Sequence, residues 1–527
     1  MLLDDRLLVS GSLPWLLREH QELLFPGWLL VGWKGASRGG RAAWPAPLLF
    51  GLLLLRHAEA GQTRSGAVRR AATDAVWRAA LRLPWSSAPP SEKTLREFEC
   101  FLQAPHPAIG RPRIEVAFEH WARLTLSRTT GERVWVIDST PMWCFGAVLD
   151  TVRLLGDGLR SLGRRWARAR STSLSVVARE WDEPLVLALS AKGAFEGIDW
   201  ADPVARSSVL TRLAASAQRA ADRVLSGLPR VRTNKHLPLM RLARNLLRVV
   251  AEDLEADTEG RMQVVIRTTC DRLISLTDPE AQHFRKSRSK VCSGFKLHAL
   301  GDAVSGLVLA LSVTPGGAHD GTQLHPLVAR ARELTGELRE VLADAAYGGV
   351  GLRTSLASLH GVSVLAPPVG TSKSDGALGK DDFAVDFESM RATCPGGVST
   401  EEWKWTKEGD TSTPTFTWTK ESAVQCTCAS TCPVHRDRRR HLKLHPLEKE
   451  LRAIRATWAK PETRRRYRRR TEGERLMREL TRRGARCAGA WGLGNASLQA
   501  HCAGGVSNLL VLARRLADQR KPARFAA

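Results

Sequence analysis

The chain has 527 residues, of which 43% are hydrophobic and 25% are charged, and this composition excludes a disordered protein. At about 150 residues per domain, its length suggests roughly three domains. Its 79 Lys and Arg residues against 54 Asp and Glu residues give a formal net charge of +25 and a pI near 10.4, which favours nucleic acid as a partner.

The sequence lacks the patterns of several other protein classes. The longest apolar run, residues 48–55, is far shorter than the ~20 residues that cross a bilayer, so we predict a buried helix there and no membrane association. The N-terminus has no signal-peptide pattern, so we expect an intracellular protein with reduced cysteines. Neither a G-x4-G-K-S/T loop nor an H-E-x-x-H motif occurs, so we expect no nucleotide cofactor and no zinc protease.

In chain order, the predicted elements begin with a helical region and then a strand. Residues 1–125 are predicted to form a helical N-terminal domain, which is either a DNA-docking module or an oligomerisation module. Residues 134–138 have the short β-branched and aromatic pattern of a buried strand that ends at Asp138. The periodicity of residues 146–285 is helical and predicts an insert after this first strand.

Beyond the insert, a hairpin is followed by alternating helix and strand. Strands at 294–300 and 306–314 form the hairpin, and a helix from 320 to about 335 begins the alternation. The strands that follow are 338–344 and 362–366, with a helix between them. A hairpin followed by right-handed crossovers builds a mixed sheet with helices on both of its faces.

This order predicts an α/β fold with a ribonuclease H-like, mixed five-stranded sheet. Residues 126–145 and 286–370 are predicted to form the catalytic core of this fold, and basic helices at 446–527 complete it. A polar, cysteine-containing insert at 371–445 precedes the last helix of the core.

Two aspartates lie at the ends of strands that this fold makes neighbours. Asp138 ends the first strand and Asp344 ends the fourth, so both carboxylates should emerge at one edge of the sheet. Phosphoryl transfer between DNA strands uses two divalent ions about 3.5–4 Å apart, and Mg²⁺ prefers carboxylate oxygens as ligands. We therefore predict that Asp138 and Asp344 hold metal ions. For either residue alone, a turn or helix-cap role is the alternative.

A third acid is predicted on a helix near the C-terminus. Tyr467, Arg470, Glu474 and Arg478 are spaced by three, four and four residues, so they share one face of a helix. Glu472 lies off that face, and Glu474 is therefore favoured as the third metal ligand. Tyr467 is predicted to bind DNA together with Arg470, Arg478 and Arg482, because guanidinium groups can hold DNA phosphates.

The surroundings of this acid are strongly basic. Residues 436–486 contain 20 Lys and Arg residues against seven Asp and Glu residues. A solvated helix face usually balances its charges, whereas neutralising DNA phosphates needs an excess of cations. We predict that this region binds the DNA backbone.

With these residues the chain resembles the DDE-type transposases of bacterial insertion sequences. It is similar to the group with an InsH-like N-terminal domain and a Tyr-x2-Arg-x3-Glu-x6-Lys signature, whose first three members match Tyr467, Arg470 and Glu474. Thr481 stands at the Lys position, so Arg478 or Arg482 is the candidate for the missing charge. Further matching segments are distributed over nearly the whole chain. They are residues 90–98, 136–141, 295–298, 313–320, 342–348 and 491–495.

The resemblance implies a reaction, its cofactors and its partners. It implies that Asp138, Asp344 and Glu474 catalyse DNA cleavage at transposon ends and strand transfer into target DNA, using two Mg²⁺ or Mn²⁺ ions. The implied partners are double-stranded DNA, with terminal inverted repeats and a target, and a second copy of the chain when two ends are paired. The implied location is the cytoplasm, in association with the nucleoid.

Two other functions remain open at this point. One is a ribonuclease H-like nuclease that has the same three acids but no joining activity. The other is a non-catalytic DNA-binding remnant of an insertion element, in which the acids serve no reaction.

The polar insert also contains candidate metal ligands. Cys394, Cys426, Cys428 and Cys432, together with His435, are candidates for a structural zinc site. Their spacing departs from paired C-x2-C arms, so reduced structural thiols are the alternative.

Trp143 and Trp491 are candidates for stacking on a base flipped out of DNA, with core packing as the favoured alternative. Two further features are predicted to be structural: His298, and the pair His319 and Asp320, in which Asp320 would cap a helix.

Overall fold

The part of the chain that the computed structural model describes comprises residues 5–33, 43–187, 195, 197–229, 236–265, 272–287, 289–368, 378–409, 411–421, 426–428, 432 and 441–520. The chain divides into two units. Unit 1 draws on residues 1–132, 139–319 and 475–527, and unit 2 on residues 133–138 and 320–474.

The N-terminal part of unit 1 is helical, as predicted. Its helices are α1 (Leu13–Glu19), α2 (Gln21–Leu24), α3 (Ala46–Ala58), α4 (Arg64–Thr73), α5 (Ala75–Ala80), α6 (Glu92–Gln103) and α7 (Arg113–Leu126). Helix α3 contains the apolar run and is buried at every position from Leu48 to Leu55, which confirms the predicted buried helix. Among the described residues, no helix is both long enough and apolar enough to span a membrane.

The helices of the insert also belong to unit 1. They are α8 (Thr151–Ala169), α9 (Leu174–Trp181), α10 (Pro203–Gly227) and α11 (Leu237–Asp253), followed by the hairpin of β2 (Leu254–Ala256) and β3 (Met262–Val264). Asp150 caps the first amides of α8, and Asp202 does the same for α10. Leucines such as Leu159, Leu213 and Leu246 face inward from three of these helices and form a core of their own.

The main sheet has the strand order of a ribonuclease H-like fold. Its strands are β1 (Trp135–Trp143), β4 (Gln282–Arg285), β5 (Val291–Asp302), β6 (Leu307–Pro315), β7 (Glu340–Leu342) and β8 (Ser363–Leu365). The order is β4-β5-β1-β7-β8, and β6 also pairs with β5. The β5–β6 pair is antiparallel, whereas β7 is parallel to both β1 and β8. Without the short β4, which the sequence did not predict, these are the five strands of the predicted mixed sheet.

Unit 2 supplies the helices around the second half of this sheet. A 3-10 turn, Asp320–Gln323, leads into α12 (Leu324–Thr335), and α13 (Val350–His360) connects β7 to β8. The helix predicted from residue 320 to about 335 is therefore confirmed, with its first turn wound more tightly than an α-helix.

The polar insert of unit 2 contains two small antiparallel sheets. One consists of β9 (Ala384–Asp386), β10 (Arg391–Thr393) and β11 (Ser399–Thr400), and the other of β12 (Trp403–Glu408), β13 (Thr411–Thr417) and β14 (His441–Lys443). Phe383, Phe416 and Trp418 are buried in the hydrophobic core of this insert. Helices α14 (Glu448–Ala459), α15 (Pro461–Arg468), α16 (Gly473–Leu480) and α17 (Leu493–Arg520) complete the described chain.

Within unit 1, helix α17 packs closely on α7 and β6 because it carries two adjacent glycines. A Cβ on Gly505 would lie 2.5 Å from the ring of Trp121 in α7, and a Cβ on Gly504 would lie 2.5 Å from Leu311 in β6. One turn further along, the buried Asn508 side chain exchanges two 2.8 Å hydrogen bonds with the backbone of Val308. These contacts fix α17 against the edge of the hairpin.

We predict that Gly505→Val destabilises the protein by about 1–3 kcal/mol, because the added atoms overpack the contact with Trp121. Urea unfolding followed by tryptophan fluorescence measures this free energy. Gly27→Ala is the matched control, since no atom lies within 4 Å of a Cβ at Gly27. Equal stability of the two variants would contradict the close packing of α17.

Candidate active site

Asp138 and Asp344 lie side by side because β1 and β7 pair in parallel register. Val136 of β1 is the partner of Leu342 of β7. Asp138 lies two residues after Val136, and Asp344 lies two residues after Leu342. Residues two apart on a strand point to the same face of the sheet. The two carboxylates are therefore neighbours on one face, and both side chains are partly exposed.

Strand β1 does not end at Asp138, which corrects the sequence prediction. It continues to Trp143, because Trp143 donates a 2.9 Å hydrogen bond to the Arg486 carbonyl and accepts one of 2.8 Å from the Ala488 amide. The residues after Asp138, Ser-Thr-Pro, suggested a turn, but these long-range backbone bonds keep them extended. Asp138 thus lies in the middle of a strand and not at its end.

Asp344 follows the end of β7 and begins a turn. Its Oδ1 accepts a 3.0 Å hydrogen bond from the amide of Ala346, so it caps the 3-10 turn Ala345–Tyr347. The capping role and a ligand role do not exclude each other, because a carboxylate has lone pairs for several partners.

Arg353 of α13 anchors the loop after Asp344, a role that the sequence analysis missed. Its guanidinium donates hydrogen bonds of 2.7 Å to the carbonyls of Gly348 and Ala366 and one of 3.1 Å to that of Val364. Burial lowers the pKa of Arg353. A lone arginine in the first turn of a mostly apolar helix was the only signal in the sequence.

Tyr467 of α15 lies beside both aspartates. Its hydroxyl donates a 3.1 Å hydrogen bond to the carbonyl of Ala343, the residue before Asp344, and its ring meets Trp458 edge to face at 4.8 Å. Burial raises the pKa of Tyr467, and the charges of Asp344 and Asp138 raise it further, against the opposite effect of Arg470. The phenol therefore stays protonated and acts as a donor to the backbone.

Arg470 forms an ion pair with Asp138. The guanidinium Nη2 lies 3.3 Å from Asp138 Oδ2, and each side chain is 21% exposed. Arg470 brings positive charge to the adjacent carboxylates of Asp138 and Asp344, which would otherwise repel each other. Tyr467 and Arg470 of the predicted signature thus meet the two aspartates in space.

The helix predicted to carry the signature is interrupted. Helix α15 ends at Arg468, a 3-10 turn covers Arg469–Glu472, and α16 begins at Gly473. Because a 3-10 turn advances about 120° per residue instead of 100°, positions beyond it no longer follow the α-helical face. Tyr467 and Arg470 are partly buried, whereas Glu474 and Arg478 are exposed.

Glu474 does not join the two aspartates in a metal-binding group. Across the described ranges, no three His, Cys, Asp or Glu side chains lie close enough together to hold one metal ion. The backbone just before Glu474 is nevertheless close to β1. A Cβ on Gly473 would lie 2.8 Å from Val136 Cγ2. Val136 shares a strand face with Asp138, so α16 begins on the face of the sheet that carries the acids.

The donor chemistry of the aspartate pair fits a divalent cation. Asp138 and Asp344 offer hard carboxylate oxygens at adjacent positions, and both remain partly accessible to solvent. The pair matches part of a Mg²⁺ ligand set, and the third acid is the part that the structure does not assemble.

Several arginines of the predicted basic region are exposed. On α15, Arg464, Arg465 and Arg468 are exposed, and Arg466 pairs with Glu340 at 2.6 Å. In unit 1, Arg478 and Arg482 are exposed as well, and Arg482 lies 3.7 Å from Glu479. Residues 436–440 of the predicted basic region lie outside the described residues.

The four cysteines of the polar insert gather at one place without forming a metal-binding group among the described residues. The Sγ atoms of Cys394 and Cys426 both lie 3.6 Å from the position of a Cβ on Gly396, and Cys432 is buried. Burial raises the pKa of Cys426, with a further contribution from the other three thiols. His435 lies outside the described residues, and the zinc site stays a prediction.

The remaining candidates separate into buried and exposed side chains. His298 is buried and bonds Thr314 Oγ1 at 3.0 Å, as expected for a structural histidine. Trp143 is partly buried in β1, whereas Trp491 is 52% exposed. The core-packing interpretation is therefore wrong for Trp491.

Comparison with known proteins gave a match for part of the chain. Residues 268–488 match a family model described as the transposase DDE domain. This segment contains β4 to β8, Asp344, Tyr467, Arg470 and Glu474, and it begins after Asp138. Searches of curated proteins and of solved structures gave no match.

We predict that Tyr467 ionises only above the ordinary tyrosine pKa of about 10. The chain has two tyrosines, so tyrosinate absorbance of the wild type and of Tyr467→Phe assigns this titration. Because the folded-state pKa is raised, the stability from the protonated phenol is present below about pH 10 and is lost at higher pH.

Tyr467→Phe should therefore be less stable than the wild type near neutral pH, by about 1 kcal/mol for the lost hydrogen bond. Urea unfolding should show this difference shrinking as the pH rises above about 10. A difference independent of alkaline pH would argue against the bond to Ala343.

Proposed function

We propose that the chain is a transposase that cuts DNA at transposon ends and joins those ends to target DNA, because residues 268–488 match a family model described as the transposase DDE domain. The observation that carries the proposal is the parallel register of β1 and β7, which sets Asp138 beside Asp344. The approach of Tyr467 and Arg470 to the same two acids supports it.

In this proposal Asp138, Asp344 and Glu474 supply carboxylate oxygens to Mg²⁺ or Mn²⁺. When bound, divalent ions neutralise the charge that develops on the attacking and leaving oxygens of phosphoryl transfer. The protein's own contribution is to hold these carboxylates in place before DNA arrives. The position of Asp138 inside β1 and the turn capped by Asp344 support that role.

The position of Glu474 supports its assignment as the third acid. It is the second residue of α16, directly after the glycine that packs on Val136. Its side chain is exposed, so a change of rotamer toward the aspartates costs little burial. In this proposal Glu474 would turn toward the pair only with a divalent cation bound, because three carboxylates without a cation repel one another.

Arg470 changes partners in this proposal. Its guanidinium pairs with Asp138, and it would turn to a phosphate oxygen if the charge of the acids were neutralised. Tyr467 keeps its bond to the Ala343 carbonyl and so positions Asp344, whereas the sequence analysis assigned it to DNA binding.

The exposed arginines of α15 and the net charge of +25 support DNA as the partner. Each phosphate contact releases counterions, so the logarithm of the affinity should fall by about 0.9 per contact and per tenfold rise in salt. We propose that Arg478 and Arg482 also bind DNA phosphates, one of them in place of the signature lysine.

The proposal extends to partners and place of action. Joining two transposon ends requires both ends in one complex, so we propose a homodimer on paired ends, acting at the nucleoid in the cytoplasm. Residues 1–125 and the helices of 146–285 are proposed to recognise the terminal inverted repeats, since helices fit the major groove.

The first test compares the wild type with Asp138→Asn and Asp344→Asn in cleavage and joining of end-containing DNA with Mg²⁺ or Mn²⁺. Each substitution should reduce cleavage by about a thousandfold, because metal stabilisation of the transition state is worth several kcal/mol. Glu388→Gln is the control, since Glu388 is an exposed acid of the polar insert.

Each other outcome identifies a different protein. Metal-dependent cleavage without joined products would indicate a ribonuclease H-like nuclease. DNA binding that is unchanged in every variant, with no cleavage by the wild type, would indicate a DNA-binding remnant of an insertion element.

The second test identifies the third acid by a matched pair, Glu474→Gln and Glu472→Gln. Both residues are exposed, and they lie two positions apart on either side of Gly473. Cleavage should fall by about a thousandfold in Glu474→Gln and change little in Glu472→Gln. The reverse result would transfer the role to Glu472.

A further inference from the structure

Strand β12 of the polar insert, Trp403–Glu408, lies at an exposed edge of its sheet in unit 2. The sheet has the order β12-β13-β14, so one edge of β12 pairs with β13. Within the part of the chain that the structure describes, no strand pairs with the outer edge of β12, the edge away from β13. We propose that this outer edge pairs with the same strand of a second copy of the chain. The pairing needs neither DNA nor metal, which separates it from the dimer proposed on paired transposon ends.

The hydrogen bonds of the hairpin leave three residues of β12 with outward-pointing backbone groups. The Thr417 amide donates a 2.9 Å hydrogen bond to the Glu402 carbonyl, so the backbone of Glu402 faces β13. Successive residues of an antiparallel strand face its two sides alternately, so Trp403, Trp405 and Lys407 face away from β13. Their N–H and C=O groups form a template for one more antiparallel strand.

Pro414 of β13 supports this alternation independently. It is the partner of Trp405, and its carbonyl accepts a 2.9 Å hydrogen bond from the Leu444 amide, on the side of β14. A proline also has no N–H to donate, so Pro414 and Trp405 cannot be a hydrogen-bonded pair of the hairpin. The backbone groups of Trp405 therefore point to the outer edge.

The side chains along this edge are large, apolar and exposed. Trp405 is 55% and Trp403 is 36% exposed, and their ring centroids lie 6.2 Å apart. The two side chains lie on the same face of the strand because they are two residues apart. On that face Trp403 is the partner of the buried Phe416, so the indoles continue the hydrophobic core of the insert outward. Adjacent exposed tryptophans on an unpaired strand indicate a surface that a partner covers.

The sequence of β12 is complementary to itself in the antiparallel orientation, which identifies the partner as a second copy. With Lys404 at a two-fold axis, Trp403 lies opposite the partner's Trp405, and Glu401 lies opposite the partner's Lys407. Outward-facing residues then meet outward-facing residues, as the hydrogen bonds require. The axis repeats each contact, so two aromatic pairs and two ion pairs form.

The like charges at the axis are balanced on the same face. Lys404 meets the partner's Lys404 there, and both Lys404 and Glu402 are exposed. Glu402 lies two residues from Lys404 on its own strand, and the partner's Glu402 lies diagonally opposite. The two lysines and two glutamates on this face therefore have no net charge.

The neighbouring register is less favourable. With Trp405 at the axis, Trp403 would lie opposite the partner's Lys407, and Glu401 would lie opposite the partner's Gly409. That arrangement loses both ion pairs and one of the two aromatic pairs. The charge pattern therefore favours Lys404 at the axis.

Sedimentation velocity of the full-length protein, over a range of concentrations and without DNA or divalent metal, measures this pairing. The wild type should form dimers as its concentration rises, because an interface of one strand edge is small and its association is weak. Asp344→Asn should dimerise like the wild type while losing cleavage. Failure of the proposed reaction and failure of this pairing are therefore distinguishable.

A charge swap tests the partner and the register together. Glu401→Lys and Lys407→Glu should each weaken the dimer about 5- to 30-fold, because each puts like charges opposite one another at two positions. The double variant should recover the affinity of the wild type. Glu388→Lys, at an exposed acid of the same insert, is the matched control. Glu401 lies 3.8 Å from Arg391 and both are exposed, so losing this ion pair should leave folding unchanged.

A disulfide tests which residue lies at the axis. Lys404→Cys should link two copies in oxidised glutathione, because directly opposite residues of a sheet have Cβ atoms about 4.5–5.5 Å apart. Lys420→Cys is the control, since Lys420 is an exposed lysine of the same insert. The wild type under the same oxidation accounts for the native cysteines.

Several results would overturn the inference. They are a wild type that stays monomeric at every concentration, single charge variants that dimerise like the wild type, a double variant that does not recover, and a dimer that Lys404→Cys does not link. A monomer whose affinity for DNA falls in Trp405→Ala would instead assign this edge to DNA.

Discussion

The parallel register of β1 and β7 is the constraint on which the proposed chemistry depends. It places Val136 opposite Leu342, and the same offset brings Asp138 beside Asp344. Two carboxylates so placed repel each other unless positive charge lies nearby. Arg470 supplies part of that charge at 3.3 Å from Asp138. The sheet therefore places two carboxylates where a bound cation would be favoured.

Backbone contacts, and not further acids, hold this pair. Tyr467 bonds the carbonyl before Asp344, and Arg353 ties the loop after it to the end of β8. Gly473 brings α16 against β1, because any larger residue would collide with Val136. Glu474, the proposed third acid, is the next residue in the chain. Its helix can approach β1 because Gly473 has no side chain. Tyr467 and Arg353 therefore position the segment around Asp344, and Gly473 positions the start of α16.

The sequence by itself determined the order of the strands, the buried helix at 48–55 and the identity of the two aspartates, because periodicity and local composition encode which residues are buried. Only the tertiary structure decided that β1 extends past Asp138, since backbone bonds to Arg486 and Ala488 come from more than 300 residues away. It also decided the 3-10 turn between Tyr467 and Glu474 and the exposure of Trp491. Such features depend on which distant segment packs against a residue, and no local pattern records that partner.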